Sequence, residues 1–371
     1  MVMQSRLGVV STLIAIAAVG CSERAGSSAD GTVATAVATA PPPVPEPAVV
    51  AEAARPAPLS PRLLRRFRPL PASFEASGSE RTPALVDLGR SLYYERRLSL
   101  SGVQSCNSCH PLSDYGVDHA SVSAGQSGHR GTRNSPTVYG AAGSFAQFWD
   151  GRAETVEDQA TMPILNPDEM AMPDEAHVVV ALKAIPDYAD AFRRAFPAAA
   201  EPITLDNVGR AIGAFERGLV APSRWDDFLR GDEGALSTAE KDGLKTFLDV
   251  GCMVCHTGVL VGGSMFERAG VMEPWPNQHD HGRESVTHSS ADRMMFKVPT
   301  LRNVARTAPY FHDASAATLP EAVKMMGRYQ LGMELSEAEI ASIVTWLGAL
   351  TGELPRAYIE PPNGALASAA R

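Results

Sequence analysis

The sequence predicts a mainly α-helical protein made of two similar domains. Amphipathic stretches with helix-capping signals recur along the chain, whereas no run of alternating apolar and polar residues predicts an extended sheet. A Cys-x-x-Cys-His motif also occurs once in each half, starting at Cys106 and at Cys252. The length of 371 residues fits two domains preceded by a segment that does not fold.

The N-terminal segment is not expected to belong to the fold. Arg6 precedes an apolar run over residues 7–19, which is short for a membrane span and typical of a signal peptide. Small residues before Cys21 resemble a bacterial lipobox, so residues 1–21 are predicted to be a lipoprotein-type signal with Cys21 acylated. An ordinary secretory signal is the alternative. Residues 22–60 are rich in alanine and proline and are predicted to form a disordered linker.

Composition disfavours one class of partner. The net charge is −9, and nucleic acid needs a basic face, so we expect no nucleic-acid binding. The hydrophobic content of 44% is ordinary for a globular protein and is sufficient for a buried core.

Four of the five cysteines fall in the two Cys-x-x-Cys-His motifs, and Cys21 belongs to the signal. This motif is the attachment signal of c-type haem, because two thiols on one turn can add to the two vinyl groups and the histidine can ligate the iron. A zinc site is the alternative. The motifs are more than 140 residues apart and both end in histidine, which opposes zinc. The predicted attachment residues of two haem c groups are Cys106, Cys109 and His110, and Cys252, Cys255 and His256.

Helices are predicted around each motif. Thr82 is the expected N-cap of a helix over residues 83–98 before the first motif. Ser237 opens a capping box, and Gly251 ends that helix before the second motif. Ser336 opens another capping box ahead of the terminal amphipathic helix. Further helices are predicted at 176–185, 188–196 and 206–220, loops at 121–131 and 262–270, and a domain connection at 221–234.

The order of helix, haem motif, loop and terminal helix is how small cytochrome c domains are organised. We therefore expect two cytochrome c-like haem domains packed against each other. The N-terminal domain is predicted over residues 61–225 and the C-terminal domain over residues 226–371.

Six further motifs occur in an order that resembles the bacterial di-haem cytochrome c peroxidases. The resemblance covers roughly residues 80–355 and implies an enzyme that reduces hydrogen peroxide at the N-terminal haem with electrons delivered by the C-terminal haem. The motifs are RNSPT at 133–137, FWDGR at 148–152, NPDEM at 166–170, VPTLRN at 298–303, APYFH at 308–312 and MGRYQLG at 326–332.

The resemblance assigns roles to individual residues. Glu169 matches the distal acid, which moves a proton between the two oxygens of peroxide. Gln159 matches a second polar residue that orients peroxide, and Trp149 matches a tryptophan lying between the haems. Met326 matches the ligand of the second haem opposite His256, since a thioether raises the reduction potential.

Several alternatives stay open for these assignments. Met294, Met295 and Met325 compete with Met326 as the haem ligand. In many family members a histidine caps the first iron, whereas the alignment puts Gln126 at that position. Glutamine is a poor haem ligand, so we expect an iron that is open without reductive activation, with His129 as the rival cap.

The resemblance also implies a calcium site and several partners. Asn134 would contribute its side-chain oxygen, and Thr307 and Pro309 their main-chain carbonyls. The electron donor is expected to be a small cytochrome c or cupredoxin. The family commonly dimerises, so a homodimer is expected, in the periplasm and on a membrane only through a lipid anchor at Cys21.

Two other functions compete with peroxide reduction. The first is oxidation of a protein substrate, which relatives carry out with a tyrosine in place of the distal methionine, so Met326 argues against it. The second is plain electron transfer without catalysis, which Glu169 and an open first iron argue against.

Overall fold

The computed structural model describes residues 59–75 and 81–362. The predicted signal peptide, the anchor at Cys21 and almost all of the predicted linker lie outside these residues. The described residues belong to one compact unit, and none of its helices has the length and apolar character needed to span a membrane.

The described chain is mainly helical, as predicted. In the first half, Thr82 begins a helix by accepting a hydrogen bond from the N–H of Leu85 at 3.2 Å, and Thr204 does the same for Asn207 at 3.1 Å. These helices are α1 (Pro61–Leu64), α2 (Pro83–Tyr93), α3 (Cys106–Cys109), α4 (Val156–Leu165), α5 (Glu175–Lys183), α6 (Pro186–Ala195) and α7 (Leu205–Glu216).

The second half contains the predicted capping boxes. Ser237 accepts a hydrogen bond from the N–H of Glu240, and Ser336 accepts one from Glu339. The helices are α8 (Arg224–Leu229), α9 (Thr238–Asp249), α10 (Glu284–Thr287), α11 (Leu319–Met325), α12 (Glu337–Gly348) and α13 (Arg356–Ile359). A π-helical turn, Met326–Leu331, directly continues α11. Short 3-10 turns cover Arg96–Leu98, Leu112–Asp114, Gln126–Gly128, Ala141–Gly143, Cys252–Val254, Ser290–Asp292 and Val304–Arg306.

One prediction about an irregular segment was wrong in part. The predicted loop at 262–270 contains strand β1 (Phe266–Arg268), which pairs antiparallel with β2 (Met295–Lys297) and sets Phe266 opposite Lys297. Three-residue strands are too short for an alternating pattern to reveal. The predicted connection at 221–234 contains helix α8.

Each half has a core in which two helices cross at a glycine. In the first half α2 crosses α7, and a Cβ on Gly89 would lie 1.8 Å from the carbonyl oxygen of Ala211. In the second half α9 crosses α12, and a Cβ on Gly243 would lie 2.1 Å from the carbonyl oxygen of Ser342. Only glycine allows helices to approach this closely. The two halves therefore use the same packing device around separate cores.

The two ends of the described chain each pack on the core of the opposite half. Phe67 lies in the second core, and Ile359 lies in the first. The buried Arg302 bonds Asp226 at 2.9 Å, and Asp226 in turn accepts the N–H of Leu70 at 2.6 Å. These contacts join the halves, and the domain limits 61–225 and 226–371 stay a prediction.

Candidate active site

A single large cavity reaches both Cys-x-x-Cys-His motifs. Its volume is about 1300 Å³, which exceeds the range of about 300–1,000 Å³ usual for a small-molecule pocket. All six motif residues line it. The cavity is therefore large enough for more than one ligand of ordinary size.

The first motif lies on the short helix α3 (Cys106–Cys109). The N–H of Ser105 donates to Ser108 Oγ at 3.0 Å and fixes the start of this turn. His110 follows, and its Nδ1 lies 3.1 Å from the carbonyl oxygen of Gly116. Burial lowers the pKa of His110, so the ring is held as neutral imidazole.

The second motif follows helix α9 through a left-handed glycine. Gly251 has φ 98°, a conformation that other residues rarely adopt, and it turns the chain into Cys252–Val254. His256 Nδ1 lies 3.2 Å from the carbonyl oxygen of Val261. Burial lowers the pKa of His256 to about 4.

These residues fit a covalent haem at each motif. The four thiols form no disulfide, and burial raises the pKa of Cys252 to about 12, so it stays protonated. In both histidines Nδ1 is held by a main-chain carbonyl, which sets the tautomer and leaves Nε2 as the ligand atom. A neutral imidazole and two neighbouring thiols are the donor set of c-type haem.

Polar side chains of helix α4 and of the turn after it lie on the cavity wall. Gln159 is on the helix, and Glu169 is on the turn that follows it. Glu169 Oε1 accepts a hydrogen bond from Asn166 Nδ2 at 3.0 Å. Burial raises the pKa of Glu169, while the positive charge of Arg152 partly offsets this effect. Glu169 is thus a carboxyl group suited to proton exchange at the cavity wall.

The loop after the first motif does not bring Gln126 to the cavity. The Gln126 side chain is buried, and its Nε2 donates to Gln104 Oε1 at 2.6 Å. The exposed His129 places Nδ1 3.0 Å from Asp168 Oδ1. Gln126 and His129 are both absent from the described lining residues, whereas Glu169 is among them.

Trp149 is fixed by its main chain and by its ring nitrogen. Nε1 donates to the carbonyl oxygen of Asn134 at 2.9 Å, and its own carbonyl accepts the N–H of Lys297 at 2.7 Å. Its ring centroid lies 6.3 Å from that of His312. Trp149 therefore lines the cavity in a rigid position.

Met326 is the residue at which α11 passes into the π-helical turn. It lines the cavity. Met294, Met295 and Met325 compete with it for the same role, and none of these three is a lining residue. The geometry thus favours Met326 among the four.

The three residues expected at calcium all line the cavity. Asn134 Nδ2 donates to the carbonyl oxygen of Ala120 at 2.9 Å, and Thr307 Oγ1 donates to Val304 at 3.3 Å. Within residues 59–75 and 81–362, no group of three or more His, Cys, Asp or Glu residues could hold a metal ion. A calcium site made mainly of carbonyl oxygens stays a prediction.

Sequence reasoning assigned no role to several charged residues of the cavity wall, and burial strongly shifts the pKa of two of them. Glu216 is 4% exposed at the end of α7, and burial raises its pKa to about 8, helped by the negative charge of Glu157. It follows Ile212 by four residues, so helical spacing could have placed it on the buried face. Lys297 on β2 is the second, and no local pattern marks it.

Comparison with known proteins finds relatives that match this chain over most of its length. A family model described as di-haem cytochrome c peroxidase matches residues 83–234. The chain is 44% identical over 284 residues to the cytochrome c551 peroxidase of Nitrosomonas europaea, which covers 75% of this chain and 84% of that protein. It is 42% identical over 297 residues to the cytochrome c551 peroxidase of Pseudomonas aeruginosa, covering 78% and 85%.

A solved structure has the same fold. It is that of a MauG-like protein associated with microbial copper homeostasis, with a TM-score of 0.70 and 28% identity over 79% of this chain and 97% of that chain. From the extent of these matches, the chain belongs to the di-haem cytochrome c peroxidase family.

Proposed function

We propose that this protein reduces hydrogen peroxide to water, with electrons from a small cytochrome c or cupredoxin. Two cytochrome c-like domains would pack against each other so that both haems share the cavity. His110 would ligate the first haem, and His256 and Met326 the second. Each turnover consumes two electrons and two protons and yields two waters. When bound, the first haem supplies the redox-active iron at which the O–O bond is cleaved.

Glu169 would carry out the proton transfer. Its carboxylate would take a proton from one oxygen of peroxide and return it to the other, which would depart as water. Burial raises the pKa of this carboxyl group toward neutral pH, and a pKa closer to the working pH helps the group both to accept and to donate a proton. Gln159 on α4 would orient peroxide by hydrogen bonding.

Trp149 would lie on the electron path between the two haems. Its ring nitrogen bonds the carbonyl of Asn134, and its own carbonyl accepts the N–H of Lys297, so both the indole and the main chain are held. A fixed aromatic ring shortens the gap that an electron must cross. The side chain of Gln126 points to Gln104, which supports a first iron that needs no reductive activation.

The remaining assignments complete the proposal. Calcium would bind Asn134, Thr307 and Pro309, all at the cavity wall. The protein would act in the periplasm as a homodimer, attached to a membrane only through a lipid on Cys21. As the net charge of −9 predicts, we expect no nucleic-acid partner.

The observation that carries the proposal is that Glu169 and both haem motifs line one shared cavity. The experiment is steady-state peroxide turnover with a reduced cytochrome c, comparing wild type with Glu169→Gln. We expect a loss of about 10²–10⁴-fold. The control is Glu154→Gln, which changes an exposed carboxylate on the neighbouring segment and should leave turnover intact. Equal turnover in wild type and Glu169→Gln would refute the assignment.

A further inference from the structure

Lys297 is a cation of the cavity wall without a partner. Its side chain is half-buried and lines the cavity. Within the part of the chain that the structure describes, its Nζ makes no hydrogen bond and no ion pair. Burial alone shifts its pKa, down to about 8. An anion would stabilise the charged form of a partly buried lysine, so this position favours a negative ligand.

The arginines of the same wall are already satisfied. Arg133 bonds Asp280 through two nitrogens at 2.6 and 2.8 Å, and Asp150 at 2.6 Å. Arg152 also bonds Asp150, at 3.1 Å. Arg268 donates to two main-chain carbonyls. Of the lysines and arginines that line the cavity, Lys297 is thus the one whose side-chain nitrogen makes no hydrogen bond within the described residues.

The position of Lys297 on strand β2 determines which way its side chain points. Neighbouring residues of β2 point to opposite faces, and Phe296 stacks on His312 with ring centroids 4.0 Å apart. Lys297 therefore points away from that aromatic pair. Its N–H is bonded to the carbonyl of Trp149 at 2.7 Å, so the base of the side chain is held beside the tryptophan.

We propose that Lys297 Nζ binds a propionate carboxylate of one of the two haems. The inference rests on the proposed function only in requiring that both haems occupy the cavity. Hydrogen peroxide is neutral and cannot supply the missing charge, whereas each haem carries two carboxylates. Lys297 would be a positioning residue that fixes one porphyrin edge beside Trp149.

A cation at this place also affects electron transfer. Positive charge near a haem favours its reduced form, so removing the charge should lower the reduction potential of the haem that Lys297 contacts. Both haems carry the same propionate carboxylates, so either could be the one that Lys297 binds. Measuring the two potentials separately distinguishes them.

The test uses the full holoprotein with both haems attached. The midpoint potentials of the two haems are measured by spectroelectrochemical titration in wild type, Lys297→Met, Lys297→Gln and Lys297→Arg. We expect both neutral variants to lower the reduction equilibrium constant of one haem by about tenfold, equivalent to about 59 mV for one electron. Lys297→Arg should restore it. The haem that shifts is the one whose propionate is bound.

The matched control is Lys324→Met, which removes an exposed lysine of α11 and should move neither potential. Unchanged potentials in whichever neutral variant retains both haems would overturn the proposal. So would an equal shift in the Lys324 control. The outcome is independent of turnover, so a failure of the Glu169 assignment would leave this result interpretable.

Discussion

The N–H of Gln126 donates to the carbonyl oxygen of Glu169 at 2.9 Å. The loop that follows the first haem motif is therefore fastened to the turn that carries the acidic residue. Gly125 is the point of closest approach, because a Cβ there would lie 1.7 Å from the carbonyl oxygen of Asp168. The position of Glu169 thus depends on this loop, although Gln126 itself does not line the cavity.

Gly125→Ala should lower peroxide turnover. The new methyl group cannot share space with a main-chain oxygen, so the loop must move and take the Glu169 turn with it. We expect a loss of about tenfold or more, since small misplacements of catalytic groups cost up to about 10²-fold. Gly131→Ala is the matched control in the same loop, because its Cβ would meet only Val122 at 3.8 Å. Equal losses in both variants would contradict the coupling.

Glu216 should make the protein less stable as pH rises. Its pKa is raised from 4.5 to about 8, so between these values the folded state holds a proton that the unfolded state has released. The free energy of unfolding therefore falls as pH rises through this window. Glu216→Gln stays neutral and should show a flatter dependence of melting temperature on pH. Glu154→Gln, at an exposed site, should keep the wild-type slope.

Arg302→Met should strongly destabilise the fold. Arg302 and Asp226 are 2% and 0% exposed, so removing the guanidinium leaves a buried carboxylate without its partner. We expect a loss of about 3–5 kcal/mol in the free energy of unfolding. Lys324→Met breaks a pair whose side chains are 59% and 87% exposed, and should cost less than about 1 kcal/mol. Denaturant titration followed by far-UV circular dichroism measures both, and similar losses would count against the buried pair.

Gly89→Ala should disrupt the crossing of α2 and α7. The methyl group would lie 1.8 Å from a main-chain oxygen of Ala211, and neither helix can yield without repacking the core. We expect destabilisation of about 3 kcal/mol, at the upper end of the usual range for overpacking. Gly348→Ala on α12 meets nothing within 4 Å and should be neutral or slightly stabilising. Thermal unfolding of the two variants distinguishes a packing role from a general effect of alanine.

The parts of the fold that the sequence predicted are those encoded locally. Thr82, Ser237 and Ser336 cap helices through side chains three residues from their partners, so short windows of sequence reveal them. Strands β1 and β2 are stabilised by pairing across a long sequence separation, and three residues carry no periodic signal. The packing of Phe67 on the second core is likewise a tertiary contact without a local pattern.

The site divides in the same way. The six haem-motif residues were predicted because covalent attachment demands a fixed spacing. Glu216 and Lys297 acquire their importance from the effect of burial on their pKa values. Helical spacing could have indicated the burial of Glu216, whereas only the three-dimensional structure reveals the surroundings of Lys297. The orientation of Gln126 toward Gln104 is also set by tertiary contacts, so sequence could place the residue in the loop but not its side chain.

The central claim is that the two irons differ, one having a vacant face beside Glu169 and the other being closed by Met326. Absorption and electron paramagnetic resonance spectra of the oxidised holoprotein, with a cyanide titration, test this most directly. The account predicts two haems per chain, one low-spin with histidine and methionine ligands, and one that binds cyanide without prior reduction. Two six-coordinate low-spin irons in every redox state, or a single porphyrin per chain, would contradict it.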